Sequence, residues 1–270
     1  SFAHLGQRCS ATFTTAFVSG VAANGMLVSL YDNGLIDKRR LMLTNLLNQL
    51  PAFFLHLPTT LFIILPLTGA AGGVYLLLVL LAAVLRTGLC ALYGRLRLPL
   101  AEENPGETSD SGRQKSMTAS DIPRLVLTRV PLRLGRIITF VLPIYILVFA
   151  LQRLGCFDFL QTVMADTAVS ALIPIEALSM VVISFVADYT SGFATAGALA
   201  ASDVLSSHQV VVALLVGNVI ATPIRSLRHQ LPRYLGIFAP KMGTQLLLLG
   251  QGLRVASLIM VGAGYVIVGS

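Results

Sequence analysis

Two stretches decide how this chain is read: LPTTLFIILPLTG at Leu57–Gly69 and LPRYLGIFAPKMG at Leu231–Gly243. Both fit L-P-x7-P-x2-G, which sets Pro58 against Pro232, Pro66 against Pro240 and Gly69 against Gly243. Proline removes a backbone donor and glycine favours helix ends, so each stretch predicts an apolar helix broken at matching places. Downstream, each half continues into a long apolar run holding one arginine, Arg86 in LLAAVLRTGL and Arg254 in LLGQGLRVAS. Upstream, AFVSGVAANG and SFVADYTSGF set Phe17-Val18 against Phe185-Val186, with small and polar residues following in both. Three anchors in one order predict a duplicated chain. A span at Ile137–Leu151 precedes the second copy, whereas only 16 residues precede Phe17. The first copy is therefore expected to lack an N-terminal segment.

Composition says which solvent the copies face. Hydrophobic residues make up 55% of the 270 and charged residues only 11%, with mean hydropathy +0.80. Soluble domains carry about 25% charged residues, so this chain cannot cover a water-facing surface and lipid must solvate much of it. The net charge of +7 does not point to nucleic acid. Eight of the 19 Lys and Arg fall between Arg95 and Arg136, separating apolar stretches as a cytoplasmic loop does. Cys9, Cys90 and Cys156 have no paired spacing, so they read as small buried hydrophobes, and no metal or other cofactor is expected.

Apolar segments fall at Ala11–Tyr31, Leu41–Leu67, Ala70–Tyr93, Ile137–Leu151, Thr167–Ala187, Gly192–Ala201, Val210–Ile224, Leu231–Ala239 and Thr244–Val268. Several are too short to span, or are broken by proline. Such breaks survive at membrane depth only where freed backbone groups meet protein or a wet cavity. The expectation is an all-α polytopic membrane protein with two related repeats, inverted, containing broken or re-entrant helices. The first repeat covers 1–94, a polar cytoplasmic loop 95–135, and the second repeat 136–270.

Ionisable and amide groups in these segments are the candidates for binding, because polar groups at membrane depth face a cavity or a partner. Asp188 follows the apolar run SMVVISFVA and reads as a solute or ion ligand, or as a helix cap. Arg225, Arg228 and His229 share one face if helical and suit a phosphate or carboxylate, or else lipid headgroups. Asn24, Asn48, Asn218 and His56 sit at breaks, able to bind a solute or to bridge helices. Arg86, Arg254 and Glu176 read first as pairing residues, each arginine seeking a carboxylate or a helix C-terminus across the repeat axis. No hydrolase triad, HExxH, CxxC or phosphate loop occurs in a convincing context, so no enzyme is expected.

The pattern ATPIRSLRHQLPRYLGIFAPKMG (Ala221–Gly243), with FFLHLPTTLFIILPLTG (Phe53–Gly69), resembles the nucleoside-recognition or Gate domain. That domain occurs in spore maturation proteins A and B and is similar to the membrane part of ferrous iron transport protein B. The chain lacks a G-x4-G-K-[ST] sequence and the gate-motif cysteines, which departs from the iron transporter. The resemblance implies a transporter or permease for a small polar solute, nucleoside-like or anionic, bound between the repeats. The alternative is a non-transporting structural or regulatory subunit. Expected partners are the bilayer, a solute and a second copy or paired membrane subunit, but no nucleic acid. The expected place is a prokaryotic inner or plasma membrane, crossed several times.

Overall fold

A computed structural model describes residues 3–99 and 189–269, with isolated positions between them. Asp188, Glu176, Cys156 and the spans 137–151 and 167–187 lie outside the described residues, isolated positions apart. The described residues form α1 (Gly6–Ala16), α2 (Gly20–Asp32), α3 (Lys38–Leu47), α4 (Gln49–Arg97), α5 (Tyr189–Ala201) and α6 (Ser207–Arg225). A π turn at Ser226–Gln230 leads into α7 (Leu231–Ile237), and α8 (Pro240–Gly269) follows. No strand occurs among the described residues. The stretches Lys38–Arg97, Ser207–Ile237 and Pro240–Gly269 are long and apolar enough to cross a membrane. The chain is an all-α membrane protein.

The 60 residues from Lys38 to Arg97 are folded back on themselves. A straight helix would hold Leu43 and Gly94 roughly 75 Å apart at 1.5 Å per residue. Instead, a methyl group added at Gly94 would meet Leu43 Cδ2 at 2.7 Å. The reversal falls at Gly69, at φ 57° and ψ −138°, a backbone state open essentially to glycine alone. It divides α4 between the two segments read from sequence, Leu41–Leu67 and Ala70–Tyr93. Pro58 and Pro66 lie inside the first leg.

Residues 207–269 make a second helical hairpin. A methyl at Gly243 would meet the Tyr234 carbonyl oxygen at 2.9 Å, and one at Gly262 would meet Leu215 Cδ1 at 3.5 Å. The reversal lies at Phe238, extended at φ −98° and ψ 162°, two residues before Pro240 opens α8. Proline disfavours helical backbone before it and is tolerated at a helix start, so Pro240 separates the legs. Leu231–Ala239 is therefore no separate short segment. It closes a 31-residue leg that begins at Ser207.

The two hairpins run in opposite directions. Around the first tip, Ile64, Ala71 and Tyr75 pack with Leu205, Val210, Val211 and Leu214 from the base of the second. Around the second tip, Tyr234, Phe238 and Met242 pack with Leu41, Leu46, Cys90 and Leu98 from the base of the first. Lys38 Nζ donates to Gln245 Oε1 at 2.7 Å in the same region. At Gly197 in α5, an added methyl would collide with the Leu67 carbonyl, so a glycine there admits the first tip.

A short helix of 13 residues precedes each hairpin, α2 and α5. The turns that follow share three backbone bonds. Asn33, Gly34 and Leu35 donate backbone N–H to the carbonyls of Ser29, Tyr31 and Leu30. Ser202, Asp203 and Val204 donate to Ala198, Ala200 and Leu199 in the same pattern. Gly34 and Asp203 both take positive φ, 70° and 56°. Ile36 and Leu205 are then buried, and Asp37 and Ser206 cap the next helix. Asp37 Oδ1 accepts from Arg40 N at 3.0 Å, and Ser206 Oγ from Gln209 N at 3.3 Å. α1 and α2 are too short to cross the roughly 30 Å hydrocarbon layer. The connection between them reaches Phe54 on the first long leg, where Phe17 stacks on its ring at 6.3 Å. The apolar stretch Ala11–Tyr31 is thus two short helices rather than one span.

Candidate functional site

A cavity of about 490 Å³ opens where the hairpins cross, with walls drawn from all four long legs. The first hairpin supplies Gln49, Phe53, His56, Thr60, Tyr75, Val79 and Arg86. The second supplies Asn218, Thr222, Arg225, His229, Gln230, Arg233, Tyr234, Gln251 and Arg254. Arg86, Asn218, Arg225 and Arg254 stand near the midpoints of their legs, far from either end. An arginine at the centre of a membrane helix costs about 2.5–3.5 kcal/mol on insertion scales. Several on one wall of one cavity require water or a counter-charge.

Four arginines and two histidines line the cavity, and no aspartate or glutamate does among the described residues. Asn218 orients part of this charge: its Oδ1 accepts from Arg225 Nη2 at 3.0 Å and from Thr222 Oγ1 at 3.1 Å. Arg86, 7% exposed, donates from Nη1 to Ser257 Oγ at 3.4 Å. Ser257 Oγ in turn donates to the backbone carbonyl of Arg254 in its own helix at 2.9 Å. The described partner of Arg86 is thus a hydroxyl rather than the expected carboxylate. Its Nε is buried with no partner, as is Gln251 Oε1, while Gln251 Nε2 donates to Gln230 Oε1 at 2.7 Å.

Of the residues singled out from sequence, Asn218, Arg225, His229, His56, Arg86 and Arg254 meet in this one cavity. Arg228 does not line it. The cavity face runs Arg225, His229, Arg233 in steps of four, and Arg228, inside the π turn at Ser226–Gln230, falls off it. Asn24 and Asn48 also stand elsewhere, as bridges between helices. Asn24 Oδ1 accepts from Asn45 Nδ2 at 2.8 Å, and Asn48 Nδ2 donates to Thr12 Oγ1 at 3.4 Å. Sequence reasoning missed Gln49, Gln230 and Gln251 as cavity residues. All three glutamines belong to apolar legs, and a polar residue in such a leg is the signal that marks them.

Comparison with known proteins gives relatives of the same broad extent. The chain is 26% identical over 254 residues to an uncharacterized protein of Methanocaldococcus jannaschii, covering 94% of this chain and 79% of that one. Two further uncharacterized proteins of that organism are 23% and 21% identical, covering 86% and 87% of this chain and 72% and 76% of theirs. No family model matches the chain, and no solved structure does.

Proposed function

We propose that this protein is a multi-pass membrane transporter or permease for a small polar solute, bound in the cavity between two inverted repeats. The single observation that carries the reading is the cationic cavity at mid-leg depth, walled by both hairpins. Secondary transporters bind their solutes at the membrane midplane where two repeats meet, and a purely structural crossing would gain nothing from arginines there.

The repeats in this reading are units of short helix, matched turn and helical hairpin, running 20–97 and 189–269. The three bonds shared by the turns at 33–37 and 202–206 support the relationship, and the opposed tips support the inversion. α1 and α2 then form a re-entrant hairpin. The resemblance to the Gate domain belongs to this reading, since its two quoted segments end the first leg of each hairpin and contain its tip.

Charge at the ends of the legs sets the orientation. Lys38, Arg39, Arg40, Arg95 and Arg97 stand at the base of the first hairpin, with Lys241 at the tip beside it. Among the described residues of these helices, the opposite end carries Asp203. Under the positive-inside rule the basic end faces the cytoplasm, in keeping with a prokaryotic inner or plasma membrane. Transport proceeds by one hairpin rocking against the other around the cavity.

The experiment is uptake by proteoliposomes holding the full chain, against empty liposomes, with a panel of labelled nucleosides, carboxylates and phosphate esters. Saturable uptake of one class, abolished by Asn218→Leu, is expected. Absence of uptake across the panel, with the protein folded and correctly inserted, would favour a non-transporting subunit.

A further inference from the structure

Among the described residues, the cavity wall carries arginines and no acid. Arg86 is buried, has one long hydrogen bond across to Ser257, and leaves Nε without a partner. Arg254 lines the same cavity from the opposite hairpin, one helical turn before that serine. No described acid lines the wall to neutralise either. Two guanidinium groups facing one confined cavity repel, and an anion between them removes that repulsion. Guanidinium presents paired N–H groups that match the two oxygens of a carboxylate or phosphate.

We infer that the solute carries an oxyanion, a carboxylate or phosphate, and that Arg86 and Arg254 hold it jointly, one from each hairpin. This rests on the transporter reading above and changes the role of both arginines from pairing residues to ligands. A neutral solute would fill the cavity and leave the two charges facing each other. The buried Gln251 Oε1, unpartnered on the same wall, accepts from a hydroxyl or amino group elsewhere on the solute. A cavity of about 490 Å³ has room for that larger body. The arginines stand roughly 20 Å along the legs from either end, whereas lipid headgroups lie at the ends, so the oxyanion arrives from water.

The probes are inorganic phosphate and succinate, binding to the full chain in phosphatidylcholine nanodiscs, measured by equilibrium dialysis at fixed ionic strength with chloride as the balancing ion. At least one of the two is expected to bind saturably. Arg86→Gln and Arg254→Gln should each weaken it by roughly tenfold to hundredfold, while Lys241→Gln leaves it unchanged. Arg254→Gln, at a less buried position, keeps the test open if Arg86→Gln does not fold. Binding of neither probe, or equal binding by wild type and both arginine variants, overturns the inference. Displacement of the probe by phosphatidylglycerol in the nanodisc would assign the site to a lipid headgroup and overturn the water-borne solute. Uptake of a neutral solute without phosphate or succinate binding would leave transport standing and sink this inference. Arginine-dependent binding with no uptake of any anion would do the reverse.

Discussion

The two hairpins share a backbone plan and differ in how they make their turns and where they carry charge. The first reverses at one glycine, Gly69, in a conformation other residues resist. The second reverses at Phe238, fully buried, with Pro240 opening the next helix. The first places one arginine, Arg86, in its legs away from the base, whereas the second places Arg225, Arg228, Arg233 and Arg254 there. The lesson is that the shape of such a unit needs few fixed positions, namely a capped start and a point of reversal. The remaining residues of each leg are free to diverge, and here the second hairpin carries most of the cavity's charge.

The largest effect should come from the second tip. Phe238→Ala removes a buried ring and is expected to destabilise by about 3–5 kcal/mol, read by thermal unfolding in detergent. Gly69→Ala keeps every side-chain contact and attacks only the backbone, so a loss of about 1–3 kcal/mol is expected. A loss at Phe238 no larger than that at Gly69 would show that the two tips are held in the same way.

A change in the opposite direction is expected at Arg86. Arg86→Met replaces a buried, partly unpartnered cation with an apolar chain and should stabilise the ligand-free protein by about 1–3 kcal/mol, while removing anion binding. Destabilisation by Arg86→Met would mean that the arginine holds the hairpins together. The smallest effects should be the matched caps. Asp37→Ala and Ser206→Ala are each expected to cost about 1 kcal/mol, and strongly unequal losses would weaken the correspondence of the two turns.

Much of this architecture is legible in the sequence. Gly69 divides the two apolar segments read there, and Arg86 and Arg254, aligned in the sequence, line one cavity. The matched turns are hidden because Asn33-Gly34 and Ser202-Asp203 share a conformation but no residue. Asparagine-glycine announces a left-handed turn, whereas serine-aspartate reaches it with a less distinctive pair. Alpha-helical spacing groups Arg228 with its neighbours, and no residue type signals the π turn that contains it. Asn24 and Asn48 look like binding residues because an amide in an apolar helix needs a partner. That partner is another helix, and only packing distinguishes a bridge from a ligand.

The central claim is a water-filled, cationic cavity at mid-leg depth between opposed hairpins, and thiol labelling tests it most directly. In a chain with its native cysteines replaced by alanine, Thr60→Cys lines the cavity, while Phe62→Cys, 77% exposed, stands on the outer surface two residues away. In liposomes, a water-soluble anionic methanethiosulfonate should label Thr60→Cys at least roughly tenfold faster than its cationic analogue, and Phe62→Cys should resist both. No labelling at Thr60→Cys, or faster labelling by the cationic reagent, would contradict the account.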